Sequence, residues 1–187
     1  MKNSFFSKFA KLSLALLFVS CIAFVACKPE LEVSSDPMTP VELSADDALI
    51  GTWSCTVSGT YQDADGKDVS YSYTETYTIT QTTFDAGANS YAGDNLKVIK
   101  TSKDSGYIYI KYTRAPDENW IYSETTPNVG KWYAISYKNL TDNSISLSGA
   151  YKQDGIIAAD TIKDAYYEFT IDNGYFGTYS ELTKQTE

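Results

Sequence analysis

No histidine occurs among the 187 residues of this chain, and that absence removes a large part of enzyme chemistry. Imidazole-activated nucleophiles, His-bearing zinc sites and imidazole acid–base catalysis are all excluded. Three cysteines, Cys21, Cys27 and Cys55, are too few for a disulfide framework or a Cys-rich metal centre. There is no glycine-rich phosphate loop, and Arg114 is the one arginine. With 24 acidic against 15 basic residues the formal net charge is −9, so the chain lacks the basic surface that nucleic acid or anionic lipid requires. Its carboxylates are scattered over turns rather than paired, which leaves two-carboxylate glycoside hydrolysis without support. The chain therefore reads as a binding protein and not as an enzyme, with no cofactor or metal.

The first stretch that is rich in something is the N-terminus. Met1 to Lys11 carries Lys2, Lys8 and Lys11 and no acid, and Leu12 to Val25 is apolar apart from Ser13 and Ser20. An apolar run of about 14 residues is too short to span the roughly 30 Å hydrocarbon core as a helix and suits the centre of a signal peptide. It ends in Phe24-Val25-Ala26-Cys27, which resembles the lipobox of bacterial lipoproteins; Phe18-Val19-Ser20-Cys21 is a second, partial match. Cleavage before Cys21 leaves Ile22 to Val25 as an exposed apolar stub, whereas Cys27 is followed at once by Lys28-Pro29-Glu30. Residues 1–26 are thus expected to be removed and Cys27 to carry lipid such as palmitate, a plain secretory signal being the alternative. The lipid places the protein on a bacterial envelope membrane, the outer membrane or cell surface, and its several acyl chains make attachment lasting. Loss of the three lysines deepens the net charge from −9 to −12. Pro29, Pro37 and Pro40 mark residues 27–46 as a flexible tether, and residues 47–187 form the domain. Cys55 is then left without an intramolecular partner, and as a small apolar side chain it is expected to be buried.

From Leu49 onward the hydrophobic period is two. Trp53, Cys55 and Val57 alternate with Thr52, Ser54, Thr56 and Ser58. Val69, Tyr71, Tyr73, Glu75, Tyr77 and Ile79 alternate with an unbroken Ser/Thr set. Half-buried strands have this pattern. Further strands are read at Leu96–Thr101, Tyr107–Arg114, Lys131–Asn139, Ser144–Tyr151, Glu168–Ile171 and Tyr175–Leu182, joined by turn sequences such as Asp63-Ala64-Asp65-Gly66-Lys67. That segment shares alternating oxygen donors with a calcium loop, but it lacks the closing Glu and reads as a hairpin turn. Ile162, Ala165, Tyr166 and Phe169 have helical spacing after Asp160, a candidate N-cap, and predict one short helix. The expectation is an all-β, antiparallel up-and-down barrel of about eight strands, with a two-sheet sandwich as the rival.

Gly51-Thr52-Trp53 at the start of the first strand resembles the Gly-x-Trp signature of lipocalins, and Gly130 to Ile135 and Phe169 to Phe176 resemble lipocalin-like domains of small spirochaete-type lipoproteins. The resemblance implies that Trp53 plugs the closed end of the barrel and that an open mouth receives an apolar or amphipathic small molecule. It also implies an arginine near the last strand stacked on that tryptophan, whereas Arg114 falls in a middle strand. Candidate ligand contacts are Tyr71, Tyr73, Glu75, Tyr77, Trp120 and Trp132. An interior Glu75 needs water, a ligand group, or a partner among Lys100, Lys111 and Arg114. The alternative function is an interaction module whose loops bind a host or envelope macromolecule, and the test between the two is whether the lumen is empty or packed.

Overall fold

The structure, a computed structural model, describes residues 39–186. The expected signal peptide, Cys27 and most of the tether lie outside these residues. The uninterrupted alternation on either side of the Asp63–Lys67 turn forms the longest ladder of the fold. In it β1 (Gly51–Gln62) and β2 (Asp68–Ile79) pair antiparallel through twelve cross-strand positions, from Gly51 with Ile79 to Gln62 with Asp68. The chain continues through β3 (Phe84–Asp85), β4 (Ala92–Lys100), β5 (Gly106–Pro116), β6 (Tyr122–Ser123), β7 (Trp132–Lys138), β8 (Ser144–Gly149), helix α1 (Ile162–Glu168) and β9 (Ser180–Lys184). Every pairing is antiparallel. Eight strands form a closed ring in the order β1, β2, β3, β4, β5, β7, β8, β9 and back to β1, while β6 folds onto the end of β5 outside it. Closure excludes the sandwich.

Several elements differ from the sequence reading. The strand expected at Tyr175–Leu182 is confined to β9 at Ser180–Lys184, because Tyr175 leaves the sheet and packs edge-on against Phe169 at 5.0 Å. β3 is only two residues long, which carries no periodicity, yet it links β2 to β4 and completes the ring. Glu168–Ile171 is not a strand: Glu168 ends α1, Phe169 caps it, and Ile171–Gly174 is a turn closed by the Gly174 amide on the Ile171 carbonyl. Phe169 is fully buried, so its apolar character reflects packing of the helix end rather than a sheet. The N-cap is Thr161 rather than Asp160, its hydroxyl accepting from the Asp164 amide at 3.1 Å.

The lumen is filled by the protein's own aromatic residues. Phe84 stacks on Tyr91 at 5.7 Å, Tyr91 meets Tyr133 at 5.0 Å, and Tyr133 stacks on Tyr112 at 4.9 Å, a chain of rings crossing from β3 to β7. Tyr133 donates to the Ala150 carbonyl at 3.0 Å, and burial pushes the Tyr112 and Tyr133 hydroxyls well above their usual range. The opposite face of β5 is covered as well. Tyr166 of α1 stands edge-on to Tyr109 at 4.5 Å, and Phe176 lies against Tyr107 at 5.6 Å. Two covered faces explain why β5 reads as a nearly continuous apolar run.

One end of the barrel is sealed. Trp53 is completely buried there and donates its indole N–H to the Leu49 carbonyl at 3.0 Å. Lys184, its register partner on β9, places its ammonium 5.1 Å from the indole centroid and donates to the Ala48 carbonyl. The cation that the resemblance seeks in an arginine is here a lysine. Beneath the end runs the segment before β1: Val41 pairs with Val98, Leu43 and Leu49 are buried, and Lys100 bonds Asp47 at 2.7 Å. The last part of the expected tether is thus packed against the barrel, because Val98 lies on β4 beyond the reach of β3 and offers unpaired backbone groups.

Candidate functional site

The other end is built differently. β9 meets β1 only at Trp53 and Ser54, and β3 meets β2 only at Thr78 and Ile79. Among the described residues, Cys55–Gln62 and Asp68–Glu75 therefore pair only with each other and project beyond the ring. The two faces of this overhang have opposite chemistry. One carries five cross-strand hydroxyl pairs, Thr52–Thr78, Ser54–Thr76, Thr56–Thr74, Ser58–Ser72 and Thr60–Ser70. The other, continuous with the lumen face of Trp53, pairs Tyr77 with Trp53, Glu75 with Cys55, Tyr73 with Val57, Tyr71 with Gly59 and Val69 with Tyr61. Tyr71 is 40% and Tyr73 52% exposed, so the tyrosines expected inside line an outer shelf. They form a row: Tyr61 to Tyr71 is 6.5 Å and Tyr71 to Tyr73 is 6.0 Å, nearly parallel. Tyr71 lies across Gly59, where a methyl group would strike its ring.

At the root of the shelf, Glu75 is half-buried and accepts from Tyr77 at 2.9 Å and from Tyr73 at 3.4 Å. Among the described residues its expected cationic partners do not pair with it. Lys100 bonds Asp47, Lys111 lies on the outer face opposite Trp132, and Arg114 reaches Asp85 at 2.7 Å together with the Gly87 and Ser90 carbonyls. Among the described residues no ammonium or guanidinium forms an ion pair with Glu75. Burial first, then charge on Tyr91 and Glu75, holds the Tyr77 hydroxyl far above its ordinary range, so it remains a donor. Cys55 faces Glu75 and is half-buried rather than buried. Burial, and then the Glu75 charge, pushes its thiol up and keeps it protonated.

Residues Tyr73–Tyr77 and Ala86–Ser90 enclose a cleft of about 440 Å³. Arg114 fixes the second wall by holding three oxygens of the β3–β4 loop, and the Gly87 amide caps it on Asp85 at 2.8 Å. Of the expected contacts, the structure brings Tyr73, Glu75 and Tyr77 together and places Tyr71 on the adjoining shelf. Trp132 does not join them. It is the register partner of Lys111 and alternates with the lumen residue Tyr133, so it faces outward and bridges Ala159. Trp120 is 47% exposed on a separate hairpin, its ring 5.5 Å from Tyr151.

That hairpin repeats the turn at the tip of the overhang. In both, an Asp side chain accepts the amides two and four residues on: Asp63 from Asp65 and Lys67, Asp117 from Asn119 and Ile121. In both, the fourth residue has positive φ, 75° at Gly66 and 61° at Trp120. The first is the hairpin turn expected from its sequence. The second puts a bulky residue where glycine is favoured, a local cost of about 1–2 kcal/mol. Sequence reading missed the Ala86–Ser90 wall, whose small residues carry no chemical signal, and Lys184. Comparison with family models, curated proteins and solved structures found no match.

Proposed function

We propose that this chain is a lipid-anchored envelope protein, attached through Cys27, whose lipocalin-like barrel binds a small amphipathic ligand at its mouth rather than in its lumen. The observation that carries the reading is the cleft of about 440 Å³ beside Glu75, with two phenols on one wall and a braced loop on the other. A cleft of this size, with polar groups beside two aromatic rings, suits a small amphipathic molecule. The ring chain from Phe84 to Tyr112 occupies the space that a lumen carrier keeps open. The sealed end with Trp53 and Lys184 supports the lipocalin-like reading. Native mass spectrometry of the protein recovered from cells tests the proposal. A stoichiometric small-molecule adduct, lost on Tyr73→Ala, is expected; a bare mass overturns it. Labelled fatty acid entering the wild type but not Cys27→Ala tests the anchor.

A second reading rests on Trp120. Its exposed ring on a strained turn, beside Tyr151 and the exposed Ile121, is an arrangement suited to contact with a macromolecule. Pull-down of an envelope or host component that fails with Trp120→Gly supports that role for the loops.

A further inference from the structure

Resting on the mouth-binding reading, we propose that the ligand is an organic cation: a protonated amine with an apolar body, whose ammonium bonds Glu75 while the body lies along Tyr73 and Tyr71. The argument begins with the carboxylate. A carboxylate offers about four acceptor positions, and the two phenols fill two. Glu75 lines a cleft whose opposite wall is the Ala86–Ser90 loop, where the remaining positions are open to a ligand. Phenol hydroxyls solvate the charge without cancelling it. Among the described residues no candidate cation pairs with it: Arg114 is held by Asp85 and two carbonyls, Lys111 lies on the outer face opposite Trp132, and Lys100 bonds Asp47 at the sealed end. The groups facing Glu75 are neutral: the Cys55 thiol across the strand pair, the two hydroxyls, and the small side chains of the loop. Among the described residues the site thus holds one negative charge without an ion-pair partner, bordered by the Tyr73 and Tyr77 rings.

Such a site discriminates by charge. An ammonium gains a charge-assisted hydrogen bond and favourable contact with the electron-rich rings. A neutral ligand of the same shape gains only the apolar contact, and an anion is repelled. The exposed row of Tyr73 and Tyr71 leads outward from Glu75, so a ligand charged at one end and apolar at the other fits the length of the shelf. The chain's net charge of −9 adds to the attraction at long range.

Three probes with one aromatic body separate these terms: phenethylammonium, phenethyl alcohol and phenylacetate, titrated by calorimetry into the full mature protein in mild detergent. Phenethylammonium should bind at least tenfold more tightly than the alcohol, phenylacetate should not bind, and Glu75→Gln should bring the cation and the alcohol to equal affinity. Equal binding of cation and alcohol by the wild type, unchanged in Glu75→Gln, overturns the charge assignment and leaves the mouth as a neutral apolar site. Binding of none of the three at millimolar concentration overturns both. The wild-type comparison needs no variant, and near-ultraviolet circular dichroism checks that Glu75→Gln retains its fold.

Discussion

The two ends of the barrel use the same strands for opposite purposes. At the sealed end, β1 and β2 are flanked by β9 and β3, Trp53 and Ile79 are buried, and a charged side chain is placed over an indole. A few residues along the same ladder, β1 and β2 lose both neighbours, their aromatic face meets solvent, and a carboxylate stands among phenols with no cation paired to it among the described residues. Alternation is identical in both halves. What differs is the number of neighbouring strands, and that number decides whether an inward-patterned residue becomes core or binding surface.

Substitutions break this comparison in order of size. Trp53→Ala removes the largest plug and its hydrogen bond, and urea unfolding should show a loss of about 3–5 kcal/mol. Alkali is expected to act next, and on covered tyrosines. Burial holds Tyr166 and Tyr175 up at about 12, against an ordinary value of 10.0. Unfolded tyrosines release their protons near pH 10 and the folded ones do not, so the unfolded state binds fewer protons above that pH. Their contribution is complete below pH about 10 and is lost as pH rises towards about 12. Melting temperature against pH, followed with tyrosinate absorbance, checks it. Gly66→Ala places a side chain at a φ of 75° and should cost about 1–2 kcal/mol, while Trp120→Gly in the twin turn should gain up to about 1 kcal/mol. Lys184→Met removes the ammonium over Trp53 and should cost about 0.5–1 kcal/mol. Tyr73→Ser, on the exposed shelf, should change stability by less than about 0.5 kcal/mol while reducing ligand binding.

Where the chain alternates over many residues, the sequence was enough. β1, β2 and the grouping of Tyr71, Tyr73, Glu75 and Tyr77 on one face follow from period two, and the turn between them from Asp63 and Gly66. β3 escaped because two residues have no period. Trp132, a candidate ligand contact by sequence, lies on the outer face of β7. The signal against it was present, since Tyr133, Ile135 and Tyr137 form the bulkier alternate set and β7 turns that set inward. Lys184 was legible in composition but not in position, because its partnership with Trp53 depends on how β9 aligns against β1. Glu75 was correctly identified as needing partners. That they are phenols two residues away on its own strand, rather than distant cations, is a matter of local geometry.

The β1–β2 ladder also works as a ruler. Its base is fixed by Gly51 opposite Ile79 and its tip by the Asp63–Lys67 turn, and both ends demand the same parity of pairing. Adding or deleting one residue sets base and tip in conflict, because a slip of one reverses the faces. Adding or deleting two residues on each strand preserves both, and moves the tip by about 7 Å. Between root and rim the shelf is therefore graduated in steps of two pairs, so its reach can change without any change to the barrel that carries it.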